Sequence, residues 1–220
     1  MHNQVVVIGI GRFGATVAQS LYQLDHQVLA IDRDERAIQH VSPLVTEAVQ
    51  ADCTDEATLR DLGVANFDVA LVTIGSDVPT SIMTTVLLKN LGVPYVVARA
   101  HNDLHAATLQ KLGVDKIVSP ESETGARLAH SLTYPTIVDY LEVARDYGIS
   151  KVAAPDSFVG KTLEDLGLNA RRQSGDVSVL LIRRGNNQVV TSPDRFEKIL
   201  RGDVLVLAGR DESLEHLHLS

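Results

Sequence analysis

The chain has 220 residues, enough for one large domain or two small ones, and 45% of them are hydrophobic, enough for a real core. Aromatics make up only 4% and Trp is absent, so that core must be built from Val, Leu, Ile and Ala. The net charge is −8 and Lys and Arg gather only in pairs such as Arg171-Arg172 and Arg183-Arg184, which argues against nucleic acid as a partner, because phosphates are neutralised by clustered cations.

Strand and helix signals alternate through the first part of the chain. Gln4–Gly9, rich in Val and Ile, reads as a buried parallel strand. Val17, Leu21 and Leu24 then fall at helical spacing as one apolar face. Gln27–Asp32 is a second strand, Glu35–Val41 a short helix stopped near Pro43, and Thr46–Ala51 a third strand. Thr54 is placed to cap the next helix, which Gly63 ends. Asp68–Thr73 is a fourth strand. Ser76 or Asp77 caps a longer helix, with Pro79 in its first turn and Ile82, Met83, Val86 and Leu87 as its apolar stripe. Pro94–Arg99, Leu104–Leu112 and Asp115–Val118 complete the series as strand, helix and strand. Leu-Gly-Val recurs at 62–64, 91–93 and 112–114, each a left-handed stop followed by an apolar pin. Six strands alternating with five helices predict an α/β, Rossmann-like doubly wound parallel sheet over residues 1–120.

Beyond Val118 the pattern changes. Glu121–Leu132 reads as a helix, Tyr134-Pro135 interrupts it, and a second helix is expected over Thr136–Ala144, giving a helical crossover at 121–145. Residues 146–220 read as a small α+β lobe. Its strands fall near Ser150–Ala154, at Val177–Arg183, Gln188–Thr191 and Asp203–Ala208, with short helices around Leu163–Leu166 and at the end. Gly185-Asn186-Asn187 suits a hairpin turn. One cysteine, Cys53, excludes an internal disulfide framework and suits a reducing cytosol. No apolar stretch approaches the roughly 20 residues that span a bilayer, and the run from Val5 lacks the pattern of a secretory signal. The expectation is a cytoplasmic protein that meets a membrane only through a partner.

The chemistry concentrates at the first strand–helix junction. Gly9, Gly11 and Gly14 form a GxGxxG string after a strand and at the start of a helix, the context that motif requires. Gly9 allows the tight turn, Gly11 lets backbone approach a pyrophosphate, and Gly14 lets helix and strand pack closely. Asp32 ends the second strand, 18 residues beyond Gly14, where a carboxylate accepts from ribose hydroxyls. It argues against a 2′-phosphate, against which Arg33 must be weighed. Asp52 suits either an adenine amino group or a solvated helix cap. Cys53 beside it reads as a packed residue, with no base to activate it. Thr73, Gly75 and Ser76 end the fourth strand, where they suit a ribose or phosphate contact or an ordinary start of a helix. Arg99 ends the fifth strand at the ligand edge of the sheet, or is a surface arginine; Glu121 opens the next helix, where the helix dipole alone favours it. His101 and His105 lie four apart and, without a third ligand, read as a solvated face and not a metal pair. A hydride-transfer enzyme needs an acid or base aimed at the nicotinamide. The second domain offers Asp156, Glu164, Asp165, Asp176, Asp194 and Asp203, mostly in turns and caps, and no histidine before the tail at His216 and His218. Binding without catalysis is the better reading.

Taken in order, VVVIGIGRFG, AIDRD, QADCTDEATLRDLGV, VARAHN and SPESETGARLA resemble the RCK (regulator of potassium conductance) proteins. SFVGKTLEDLGL and GDVLVLAG extend the resemblance into the C-terminal RCK lobe. It is closest to the KtrA-type regulatory subunits of bacterial Ktr potassium uptake systems, relatives of the Trk-type subunits, and covers nearly the whole chain. The resemblance implies a homodimer that assembles into a homo-octameric cytosolic ring. The ring docks on a membrane-embedded potassium channel subunit of the KtrB/TrkH type, and ATP and ADP compete for the Rossmann cleft. It implies that Gly9, Gly11, Arg12, Phe13, Gly14, Asp32, Arg33, Asp52, Cys53, Thr73, Gly75 and Arg99 form the nucleotide site. Arg12 would reach the γ-phosphate in a neighbouring subunit. Glu121 would help hold Mg²⁺, Ca²⁺ or Na⁺ between two paired ATPs. The helices around Pro135 would cross over between protomers. Arg171 falls at the arginine of a segment linked to cyclic di-AMP binding in some relatives, although Arg172-Gln173-Ser174 beside it departs from their pattern. The rival readings are an NAD(H)-binding Trk-type regulator with Arg12 on the pyrophosphate, an RCK regulator of a cation antiporter, and a small NAD-dependent dehydrogenase.

Overall fold

A computed structural model describes residues 3–133, 137–168, 177–185 and 188–218. The chain divides into two compact units, Met1–Pro120 and Glu121–Ser220. In the first, strands β1 (Gln4–Ile8), β2 (Gln27–Asp32), β3 (Glu47–Gln50), β4 (Val69–Val72), β5 (Tyr95–Arg99) and β6 (Lys116–Val118) form a wholly parallel sheet in the order β3-β2-β1-β4-β5-β6. Helices α1 (Arg12–Gln23), α2 (Glu35–Val41), α3 (Glu56–Asp61), α4 (Val78–Asn90) and α5 (Asp103–Lys111) connect them. Alternation along β1 separates two cores. Val5 and Val7 join Ala18, Ile38 and Val41, while Val6 and Ile8 join Leu59, Leu88 and Leu109. Strand order reverses between β1 and β4, which opens a crevice at the carboxyl ends of the strands.

The expected strands and helices all form here, with boundaries shifted by a residue or two, but three local readings change. Helix α1 buries Gly14 and Ala18, while Leu24 is 68% exposed, because small residues let the helix lie close to the sheet. Helix α4 turns Ser81, Thr84, Thr85 and Leu88 inward and leaves Met83 exposed. Thr85 Oγ1 donates to the Ser81 carbonyl at 2.8 Å, so part of that hydroxyl face is satisfied within the helix itself. Asp55, not Thr54, caps α3 by accepting from the Ala57 and Thr58 amides. The three Leu-Gly-Val stops behave as expected, with Gly63, Gly92 and Gly113 at φ of 66°, 79° and 73°.

The second unit holds α6 (Pro120–Thr133), then an antiparallel sheet of β7 (Ile137–Ala144), β8 (Tyr147–Ala153), β9 (Val177–Arg183), β10 (Val189–Thr191) and β11 (Val204–Arg210), and α7 (Asp211–His218). The strand order is β10-β9-β11-β8-β7. The second crossover helix expected over 136–144 is therefore a strand. Residues 137–144 pair with β8, and a turn at Asp146, with φ of 62°, closes the hairpin. Tyr140 lies against Gly148, where a Cβ would run into its ring, and its hydroxyl donates to Asp211 Oδ1 at 2.8 Å. Cross-strand pairing and this ring contact override the helical spacing of the segment. The short helix expected at 163–166 is a turn that buries Leu163. Tyr134-Pro135, and Asn186-Asn187 where a hairpin turn is expected, lie outside the described residues.

Candidate functional site

Among the first five helices, four begin under a side chain: Asp34, Asp55, Asp77 and Asn102 accept from the first amides of α2, α3, α4 and α5. Helix α1 has no such cap and no acidic residue in its first turn. Its N-cap is Gly11, with φ of −75°, and a Cβ there would meet nothing within 4 Å. Open space beside an uncapped helix N-terminus is the arrangement that receives an anion. The other two glycines of the loop serve geometry. Gly9 sits at φ of 97°, and a Cβ would fall 2.7 Å from Ile74 Cγ1. At Gly14 a Cβ would run into the Gly9 carbonyl oxygen and the Thr73 hydroxyl. Thr73 Oγ1 lies 2.6 Å from that carbonyl and donates to it, which ties β4 to the loop.

A cleft of about 650 Å³ opens at this crevice. Gly9, Gly11, Arg12, Asp32, Arg33, Asp52, Cys53, Thr73, Gly75 and Arg99 line it, so ten of the twelve expected residues meet in one place. Gly14 and Phe13 support it from behind. Gly14 packs as described, and the Phe13 ring lies under the Arg99 guanidinium, 5.9 Å from centroid to Cζ. Gly75 makes room for that guanidinium, since a Cβ would run into it. Asp32 accepts from the Ile10 amide through Oδ2 and from the Asp34 amide at 2.8 Å through Oδ1. It braces the glycine loop as well as facing the cleft.

Asp52 Oδ1 accepts from the Thr54 hydroxyl at 2.7 Å and the Thr54 amide at 2.9 Å. These bonds hold its carboxyl below the usual range, the hydroxyl contributing most, so it is an anion at neutral pH. Cys53 is buried, and burial, reinforced by Asp32 and Asp52, pushes its thiol up to about 12. It is a packed, protonated group and not a nucleophile. His105 is buried and not solvated. Its Nδ1 accepts the His101 amide at 3.2 Å, and desolvation lowers its pKa. Among the described residues no group of three or more His, Cys, Asp or Glu is placed to hold a metal ion.

The sequence reading missed Asp77 and Thr80 as cleft residues and took Asp77 only as a cap; both line the pocket, as does His101. Their signal was their position just past β4 and β5, the edge where parallel strands deliver ligand contacts. Glu121 lies exposed in the first turn of α6, in the second unit. Arg171 lies outside the described residues. No described helix is long and apolar enough to cross a membrane.

Fold and cleft together define a Rossmann-type unit with a glycine-loop crevice, followed by a small antiparallel unit. The TrkA-N domain model matches residues 5–120 and the TrkA-C domain model residues 149–218. The chain belongs to this TrkA-N/TrkA-C family of RCK proteins. It is 36% identical over 209 residues to the Ktr system potassium uptake protein C of Bacillus subtilis, covering 95% of this chain and 93% of that one. It is 32% identical over 211 residues to the Ktr system potassium uptake protein A of Vibrio alginolyticus, covering 96% and 94%. Among solved structures, the GsuK RCK domain matches with a TM-score of 0.67 at 18% identity, over 100% of this chain and 47% of that one. The GsuK channel bound to NAD matches with a TM-score of 0.55 at 26% identity, over 97% and 37%. The chain thus spans about half or less of those two solved chains.

Proposed function

We propose that this chain is a nucleotide-sensing, non-catalytic subunit that regulates a membrane potassium channel or transporter from the cytoplasmic side. The observation that carries the reading is the uncapped N-terminus of α1, with the open face of Gly11 and the Arg12 side chain at the same cleft. The α1 amides and Gly11 take the phosphates, Asp32 the ribose and Asp52 the adenine amino group. Arg12 supplies a fixed positive charge at the phosphate end, where ATP and ADP differ. The relatives in Bacillus and Vibrio are potassium uptake proteins, which supports the choice of partner. In this reading protomers pair and assemble into a ring, and Glu121 contributes to a cation site between triphosphates. Residues 1–120 bind nucleotide, and the segment after them joins this unit to the C-terminal lobe.

A second reading, an NAD(H) sensor, draws support from the NAD-bound GsuK channel and from the dinucleotide form of the glycine loop. Calorimetric titration of the full chain with ATP, ADP and NADH, each with and without Mg²⁺, separates the two. ATP and ADP are expected to bind more tightly than NADH, with Mg²⁺ affecting ATP most. Tight NADH binding with weak ATP and ADP binding would replace the first reading by the second.

A further inference from the structure

Arg33 is 76% exposed at its side chain, so burial does not choose its direction. Its backbone is nevertheless fixed on both sides. The Arg33 carbonyl accepts from Gln50 Nε2 at 3.0 Å, and the next amide, that of Asp34, is held by Asp32. From that anchor Nη1 lies 3.8 Å from Asp77 Oδ2, on the far lip of the cleft. Asp77 is itself fixed, because its Oδ1 accepts the Thr80 amide at 3.1 Å as the cap of α4. The charge of Arg33 also lowers the Asp52 carboxyl, as the smallest of several influences on it, and both side chains line the same cleft. An ion pair this exposed adds little to the stability of the free protein. It does bridge two lips of the cleft.

We propose that Arg33 and Asp77 form a strap over the base end of the cleft, with the Arg33 guanidinium lying on the π face of an adenine and Asp77 holding it there. The proposal rests on the nucleotide reading above and adds a specificity residue to it. Asp52, an anion, accepts from the amino group of adenine and would repel the carbonyl oxygen that guanine carries there. A planar, weakly hydrated guanidinium stacks on such a ring as an ammonium cannot. A base beneath it removes water from one side of the ion pair, and the pair strengthens when the cleft is filled. The strap must part for the nucleotide to enter and closes behind it, so it acts mainly on the rate of release.

The test titrates the full chain and its variants with ADP, GDP, NADH and NADPH. Arg33→Ala is expected to weaken ADP about three- to tenfold. Asp77→Asn keeps the helix cap, removes only the charge, and is expected to weaken ADP about two- to fivefold. The double variant should be no weaker than Arg33→Ala alone, because the two side chains act as one device. Arg33→Lys should fail to restore affinity, and ADP should bind at least about tenfold tighter than GDP. Additive losses in the double variant, full rescue by lysine, or a loss confined to NADPH would each overturn the strap; the last would make Arg33 a reader of a 2′-phosphate. Failure of the unaltered chain to bind any of the four would overturn the nucleotide reading as well. Thermal midpoints that stay level across the variants assign the losses to binding and not to folding.

Discussion

Two glycines of one loop serve different ends. A side chain at Gly14 would meet a backbone oxygen that cannot move away, whereas one at Gly11 would enter open space. Gly14→Ala is therefore expected to cost about 1–3 kcal/mol through overpacking, lowering the melting temperature by about 2–4 °C per kcal/mol. Gly11→Ala should leave stability within about 0.5 kcal/mol, because its φ of −75° suits any residue. It should nonetheless weaken ADP by about tenfold or more, since its methyl group takes the space a phosphate needs. Thermal scans and ADP titration of both variants check the pair; equal effects on both readouts would contradict the division. The glycines and Asp32 were legible from spacing alone. Asp77 was legible only as a cap, because its second role needs Arg33 on another loop to lie within reach.

Helix α5 shows how a titratable group can be built into the start of an element. Asn102 accepts from the His105 amide at 2.9 Å, and His105 Nδ1 accepts from the His101 amide, so the two side chains cap the turn reciprocally. Only a neutral imidazole can accept at Nδ1. Burial lowers the His105 pKa below 6.5, so the unfolded chain takes up the proton first as pH falls. The stability from this neutral cap is thus complete above 6.5 and declines as pH drops through that value toward the folded pKa. His105→Gln keeps an acceptor without the titration and should flatten the urea midpoint between about pH 8 and about pH 5.5. An unchanged slope would place the acid sensitivity elsewhere. The same dependence on surroundings explains β7. Residues 136–144 carry helical spacing, but Tyr140 is placed by Gly148 and Asp211, which lie outside the segment. No local window contains that information.

For the whole molecule, the question is how a small difference in ligand becomes a change in a partner. Moving a two-state equilibrium from 1:99 to 99:1 takes about 10⁴-fold differential affinity, or about 5.5 kcal/mol. If the ring proposed above holds eight sites, that is about 0.7 kcal/mol per site. One charge-assisted hydrogen bond contributes about 1.5–3 kcal/mol, so one arginine that meets a γ-phosphate in a single state is sufficient. Arg12 lines the cleft and is the candidate. Arg12→Ala is expected to keep nucleotide binding within about tenfold and to lose the difference between ATP and ADP in potassium uptake by the reconstituted channel complex. Activation by ATP and not ADP in the variant would assign the discrimination to another residue.

By itself the sequence determined the alternation of strand and helix, the parallel sheet, the glycine loop and the acidic end of β2. Each of these is written in periodicity and spacing within a few turns of chain, where local sterics and hydrogen bonding decide the outcome. The tertiary structure alone decided that α4 turns hydroxyls inward, that 137–144 is a strand, and that Gly75 makes room for Arg99. It also decided that Arg33 reaches Asp77 across the cleft. These depend on partners distant in the chain, and their free energies arise only when packing brings the partners together.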